Sequence, residues 1–178
     1  AADALASLSG HRRQQVWDAT AQRRAPALLK GVPINEPSLA LPQACEGEEI
    51  VGDYASLGLT LRRHPLALLR PRLARMRLSN AAQLHDLPSG QTVRACGIVM
   101  GRQRPGTANN TMFVTLEDET GNVNVIVWQH VADAWREPLL KAKLLAVQGT
   151  WQRDVDSGGE VRHVVATGFK DLTPLLGR

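Results

Sequence analysis

The sequence predicts an α+β chain: a helical and irregular first half, then a closed five-stranded β-barrel with a helix between its third and fourth strands. Three observations carry this. Residues 111–117 and 122–128 alternate apolar and polar side chains with the period of a half-buried strand, and "DETGN" between them supplies the glycine and Asx residues of a hairpin turn. Three more strand-like runs, 91–102, 143–151 and 160–168, surround that hairpin, and "QHVADAWREPLLKAK" reads as one helix of about three turns. Before residue 91 the texture changes to helical periods interrupted by proline.

The first element, "SGHRRQQVWDATAQ", predicts a helix reaching about Arg24, with Val16 and Trp17 on its apolar side. From Ala25 to Gly47, Pro26, Pro33, Pro37 and Pro42 fall in a stretch with neither period, which predicts an extended linker lying on another surface. "GEEIVGDYASLGL" predicts a short helix with acids in its first turn, as the macrodipole favours, closed by Gly58. In "HPLALLRPRLARM" the residues Leu66, Leu69, Leu73 and Met76 form one stripe, and Pro71 is expected to start a second short helix. "SNAAQLHDLPSG" ends the helical half, so three segments are expected: 1–24, 25–90 and 91–178.

A chain of 178 residues, 43% hydrophobic, suits one sizeable domain or two small ones. No apolar run approaches the roughly 20 residues of a membrane span, and "AADALASLSG" lacks a signal-peptide pattern, so no membrane partner and a reducing, cytoplasmic setting are expected. Cys45 and Cys96 have no CxxC spacing, which argues against a disulfide framework or zinc site. His11, His64, His85, His130 and His163 lie scattered without ligand spacing, and Glu117, Asp118 and Glu119 belong to a turn, so neither a metal site nor a catalytic residue is expected.

The net charge is +4, and 17 of the 21 basic residues are arginine, whose planar fork suits phosphate. Six arginines and no acid occur between Arg62 and Arg77. That run reads either as a solvated helical face or as a DNA-facing one.

In the hairpin, Met112, Val114, Leu116, Val123, Val125 and Val127 are expected inside, with Phe113, Asn124 and Trp128 outside. A long first strand, a hairpin, a helix and a closing hairpin at "DVDSGGE" give the strand order of an OB barrel. In that fold ligands cross strands two and three between the loop joining strands one and two and the loop joining four and five. The nucleic-acid-binding candidates are therefore Arg102, Arg104, Asn109 and Asn110 in the first loop, Phe113, Asn124 and Trp128 on the face, and Arg153 and Arg162 at the second loop. Phe113 and Trp128 offer stacking faces, worth roughly 1–3 kcal/mol per base where used, or else pack under a helix. Trp17, Trp135 and Trp151 read as packing residues.

Three blocks resemble the C-terminal region of bacterial C-family DNA polymerases of the polymerase III alpha type, and within them the error-prone branch. "AADALASLSGHRRQQVW" is similar to the segment after their helix-hairpin-helix motif. "DYASLGLTLRRHPLALLRP" resembles the block before their OB domain, with Arg62 and Arg63 as in the error-prone branch. "VRACGIVMGRQRPGTANNTMFVTLEDETGNVNVIVW" resembles that branch's OB domain and is the most specific of the three. The resemblance implies a non-catalytic part of a translesion polymerase. The active site of the parent, with acidic residues holding Mg ions, is expected elsewhere, and a clamp-loader-binding domain is not expected. Its implied partners are single-stranded DNA, an inactive Y-family-like translesion adaptor and the sliding clamp. Two other readings of the barrel are a protein-docking module for those partners and an anticodon-binding OB domain.

Overall fold

The structure, a computed structural model, describes residues 10–21, 39–106, 110–154 and 161–177. The chain divides into two compact units, Ala1–Arg62 and Arg63–Arg178.

In the first unit, α1 (Arg12–Ala21) and α2 (Glu46–Leu57) are held by polar contacts more than by apolar packing. His11 caps α1, its Nδ1 accepting the N–H of Gln14 at 3.3 Å while Nε2–H donates to the carbonyl of Leu41 at 2.8 Å. Gln14 pairs with the same strand of chain, donating to Leu39 O at 3.0 Å and accepting from Leu41 N at 2.9 Å. The described end of the proline-bearing segment thus lies along α1, while residues 25–38 of that segment, and residues 22–24 at the expected end of the helix, fall outside the described residues. Val16 and Trp17, expected on an apolar side, are half exposed. Arg12 reaches instead across α2, with Nη1 3.1 Å from Glu49 Oε2 and Nη2 on Asp53. Gly52 makes that crossing possible, because a Cβ there would stand 3.3 Å from Arg12 Nη1. Gly58, in the left-handed region at φ 72°, ends α2 as expected.

In the second unit, α3 (Pro65–Arg75) starts at His64, whose Nδ1 accepts the N–H of Leu66, and runs through Pro71 without a new start. Pro71 lacks the N–H that would reach Ala67, but it sits on the exposed side, where its ring meets no packed neighbour to displace it. Leu66 and Leu73 are fully buried against Leu78, Cys96, Leu144, Ala146 and Leu172, and Leu69 and Met76 pack on that cluster, confirming the apolar stripe.

Five strands, β1 (Thr92–Gln103), β2 (Met112–Asp118), β3 (Gly121–Val127), β4 (Leu144–Arg153) and β5 (Arg162–Asp171), close in the order β1-β2-β3-β5-β4. All neighbours are antiparallel except β3 and β5. Val114, Leu116, Val123, Val125 and Val127 are buried inside with Trp151, Val164 and Phe169, and Met112 packs at the margin, which is the expected register. Two ends need covering. α4 (Ala81–His85) lies at the end holding the β2–β3 turn, with Ala81 and Leu84 buried in the barrel core. The opposite end is filled by Val131, Ala132 and Leu139.

Those last residues belong to two helices, α5 (Gln129–Ala134) and α6 (Arg136–Lys141), where one was expected. The break falls at Trp135, φ −116° and ψ 31°. Pro138 explains it: without an N–H it cannot bond to Ala134, so a proline tolerated in the first turn of α6 would interrupt a continuous helix.

Candidate nucleic-acid interface

The outer surface of β2 and β3 carries the face predicted for ligands. Phe113 pairs with Ile126 and Ile126 with Val165 of β5, while Gln103 of β1 pairs with Phe113, so one row crosses four strands. Directly opposed side chains in such a row are in contact range. Trp128, two residues beyond Ile126, caps the start of α5 and is 48% exposed; Phe113 is 39% exposed. The next row pairs Thr115 with Asn124, their side chains 3.4 Å apart, and the row after that pairs Glu117 with Asn122. The surface is aromatic and amide-rich, and it is not strongly cationic. Arg104 is exposed beyond the end of β1, and Asn110, at φ 60°, hydrogen-bonds Gln129. Asn109 lies outside the described residues.

The arginines expected to line this face are differently placed. A β-bulge between Val99 and Gly101 inserts Met100, so the alternation of β1 inverts and Arg102 pairs with the inward-facing Val114. Its guanidinium turns to the end of α6, Nε donating to Leu139 O at 2.6 Å and Nη2 donating to Ala142 O. Burial pushes the pKa of Arg102 down, although a guanidinium remains charged at any ordinary pH. Arg153 does the same at the other end of the barrel, Nη2 donating to the carbonyl of His85 at the end of α4, while its backbone N–H donates to Ser89 Oγ. Arg153 pairs with Arg162 across β4 and β5. Arg102 and Arg153 are therefore not brought together; each fastens one end cover. The inversion at Met100 had one sequence signal, the glycine at 101, because glycine inside a strand marks bulges.

Sequence reasoning also left out the ties around the acidic turn. Asp118, buried, accepts from Ala81 N at 2.7 Å, Thr120 N at 2.7 Å and Gly121 N at 3.2 Å, and Thr120 Oγ1 accepts from Ala82 N. Arg70 of α3 clamps Glu119 through Nε and Nη2, at 2.5 and 2.8 Å. Burial works against the Glu119 anion, but the Arg70 hydrogen bond and charge hold its pKa below the usual carboxylate range. Among the described residues no group of three or more His, Cys, Asp or Glu is arranged to hold a metal ion. Asp118 and Glu119 are engaged in these structural ties.

A closed five-stranded barrel of this strand order is the OB-fold, a class whose strand 2–3 face takes oligonucleotides or oligosaccharides. Residues 82–172 match the family described as "OB-fold nucleic acid binding domain", and the chain belongs to that family. Over its full length it is also similar to proteins named error-prone DNA polymerase: 52% identical to that of Ralstonia nicotianae, covering 100% of this chain and 16% of that protein. The Burkholderia pseudomallei protein of the same name is 49% identical over 99% of this chain and 16% of its own length. The chain thus spans about one sixth of these curated relatives. Among solved structures, an asparaginyl-tRNA synthetase from Pyrococcus horikoshii has a TM-score of 0.44 at 20% identity, covering 53% of this chain and 22% of that one.

Proposed function

We propose that the chain is the non-catalytic C-terminal region of an error-prone DNA polymerase used in damage-induced translesion synthesis, and that its barrel binds single-stranded template DNA. Identity of about half the residues over the whole chain to proteins of that name supports the first part. Membership of a nucleic-acid-binding OB family supports the second, and the exposed Phe113 and Trp128, flanking the half-buried Ile126 on one face, carry it. In this reading bases stack on Phe113 and Trp128, Asn124 and Asn110 donate to base or sugar oxygens, and Arg104 meets a phosphate. Arg102, Arg153 and Arg162 shape the barrel ends around that path, and Asn109, like Asn110, contacts the DNA strand. The polymerase chemistry, with its Mg ions, belongs to the remainder of the parent protein, which acts in the cytoplasm. No described helix is long and apolar enough to cross a membrane.

One observation favours a second reading. The row Phe113–Ile126–Val165 is apolar, so the same face suits docking to a translesion adaptor or the sliding clamp. Titrating the purified chain with labelled single strand, duplex and candidate partner proteins at two salt concentrations separates the two. Preferential single-strand binding weakened by Phe113→Ala supports the DNA reading; retained DNA binding with loss of a protein partner supports docking. The purified chain is expected to incorporate no nucleotide, and detectable incorporation would overturn the non-catalytic assignment.

A further inference from the structure

A groove of about 320 Å³ lies on the outer surface of β1, β4 and β5, away from the β2–β3 face. Its floor is Gln148, Gly168 and Ala146; one wall is Met76 and Leu78, the other is Trp135 at the junction of α5 and α6. Arg94 and Lys170 stand on its rims, and no acid lines it.

Three features set this groove apart. The first is the state of its cations. The exposed side chains of Arg94 and Lys170 have no ion-pair or hydrogen-bond partner among the described residues, a state they share with exposed cations such as Arg72 and Arg104, but these two stand over one groove. The second is their placement. Arg94 pairs with Gln148 and Gln148 with Gly168, while Lys170 lies one step further along β5 opposite Ala146. With strands about 4.8 Å apart, the two cations flank the floor at a separation on the order of 10 Å, enough for one nucleotide unit between them. The third is the aromatic wall. Trp135 is 41% exposed, and its indole lies over Gly168, at van der Waals distance from where a Cβ of that residue would stand. A half-exposed indole, two unengaged cations and the Gln148 amide between them match a base, its flanking phosphates and its polar edge, while the Thr167 hydroxyl donates to the Gln148 carbonyl at 3.1 Å and keeps only its acceptor capacity.

We infer that this groove is a second nucleic-acid subsite, which holds one nucleotide of a single strand by stacking on Trp135 and by phosphate contacts to Arg94 and Lys170. It does not depend on the β2–β3 face being a DNA site. An acidic protein segment shares the charge requirement but has no use for the indole.

The test is fluorescence anisotropy of a labelled thymidine 20-mer with the whole chain over a series of salt concentrations, with a polyglutamate peptide as the competing probe. Each single-strand phosphate neutralised contributes about −0.7 to the slope of log affinity against log salt. Arg94→Ala with Lys170→Ala is therefore expected to flatten the slope by about 1.4. Trp135→Ala is expected to weaken binding roughly five-fold or more with the slope unchanged, and Trp135→Phe to recover most of the loss. Both cations are exposed and unengaged, so the double variant keeps its thermal midpoint and remains readable even where Trp135→Ala loosens α5 and α6. Wild-type binding by the double variant at every salt concentration overturns the inference, as does loss of polyglutamate binding alone. Loss in the groove variants with Phe113→Ala unaffected upholds this subsite and removes the β2–β3 reading; the reverse pattern removes the subsite and leaves that reading intact.

Discussion

The carboxylate of Asp118, in the turn between β2 and β3, accepts the N–H of Ala81, first residue of α4, at 2.7 Å. The other oxygen of Asp118 takes the N–H groups of Thr120 and Gly121, so one buried side chain shapes the hairpin and fastens the helix that covers the barrel end. An aspartate here serves a helix N-terminus and a tight turn together.

Asp118→Ala is accordingly expected to destabilise the barrel by more than an ordinary surface change. It leaves the buried Ala81 N–H without an acceptor, at about 1–3 kcal/mol, and frees the part-buried N–H groups of Thr120 and Gly121. Asp118→Asn restores one acceptor but turns an NH2 group toward remaining donors, so partial recovery is expected. Thermal unfolding of the three proteins checks this; a midpoint for Asp118→Ala equal to wild type would show that water replaces the carboxylate.

Arg102 and Arg104 are two residues apart and are expected to behave differently. Arg102→Ala removes the donors to Leu139 and Ala142 and should cost about 1–3 kcal/mol of stability. Arg102→Lys recovers only part, since one ammonium lacks the planar fork that spans both carbonyls. Arg104, exposed, should leave stability unchanged on conversion to alanine while flattening the salt dependence of single-strand binding by about 0.7 in slope. Equal flattening by Arg102→Ala would show that DNA draws the Arg102 guanidinium away from α6.

The barrel was legible because its hairpin alternates strictly: shifting residues 111–128 by one place would expose Val114, Leu116, Val123, Val125 and Val127 together. The β2–β3 face followed from the same alternation, which placed Phe113 and Asn124 outside. What could not be read were features set by one inserted residue or by distant partners. The bulge at Met100 turned Arg102 inward, and the ties from Arg70 to Glu119 and from Asp118 to Ala81 join residues 49 and 37 positions apart.

Gly149 of β4 marks another close approach. A Cβ there would lie 2.1 Å from the carbonyl oxygen of Val165, where β4 and β5 shift register. Gly149→Ala therefore has to displace backbone, not a flexible side chain, and an overpacking cost of about 1–3 kcal/mol or more is expected. Gly101, whose added Cβ would meet nothing within 4 Å, is the matched control and should tolerate alanine far better. Denaturant midpoints of the two variants provide the comparison, and equal values would refute the close-approach argument.

The first unit should respond to acid through Asp53. Thr60 Oγ1 donates to its Oδ2 at 2.6 Å; burial opposes the charge, but the hydrogen bond and charge of Arg12 and the charge of Arg62 add to Thr60, leaving the carboxyl below the usual aspartate value of 3.8. A depressed folded-state pKa stabilises the folded form above the unfolded-state value, and that contribution is lost as pH falls through the folded value. The loss should fall below pH 3.8, because the shift is downward. As Asp53 protonates, Arg12 loses one of the two carboxylates that hold α1 to α2. Amide exchange of α1, followed from neutral pH into acid, is expected to rise in that window. Asp53→Asn should raise exchange at neutral pH and remove the acid step assigned to this carboxyl. An unchanged acid step in Asp53→Asn would show that the transition does not arise from Asp53.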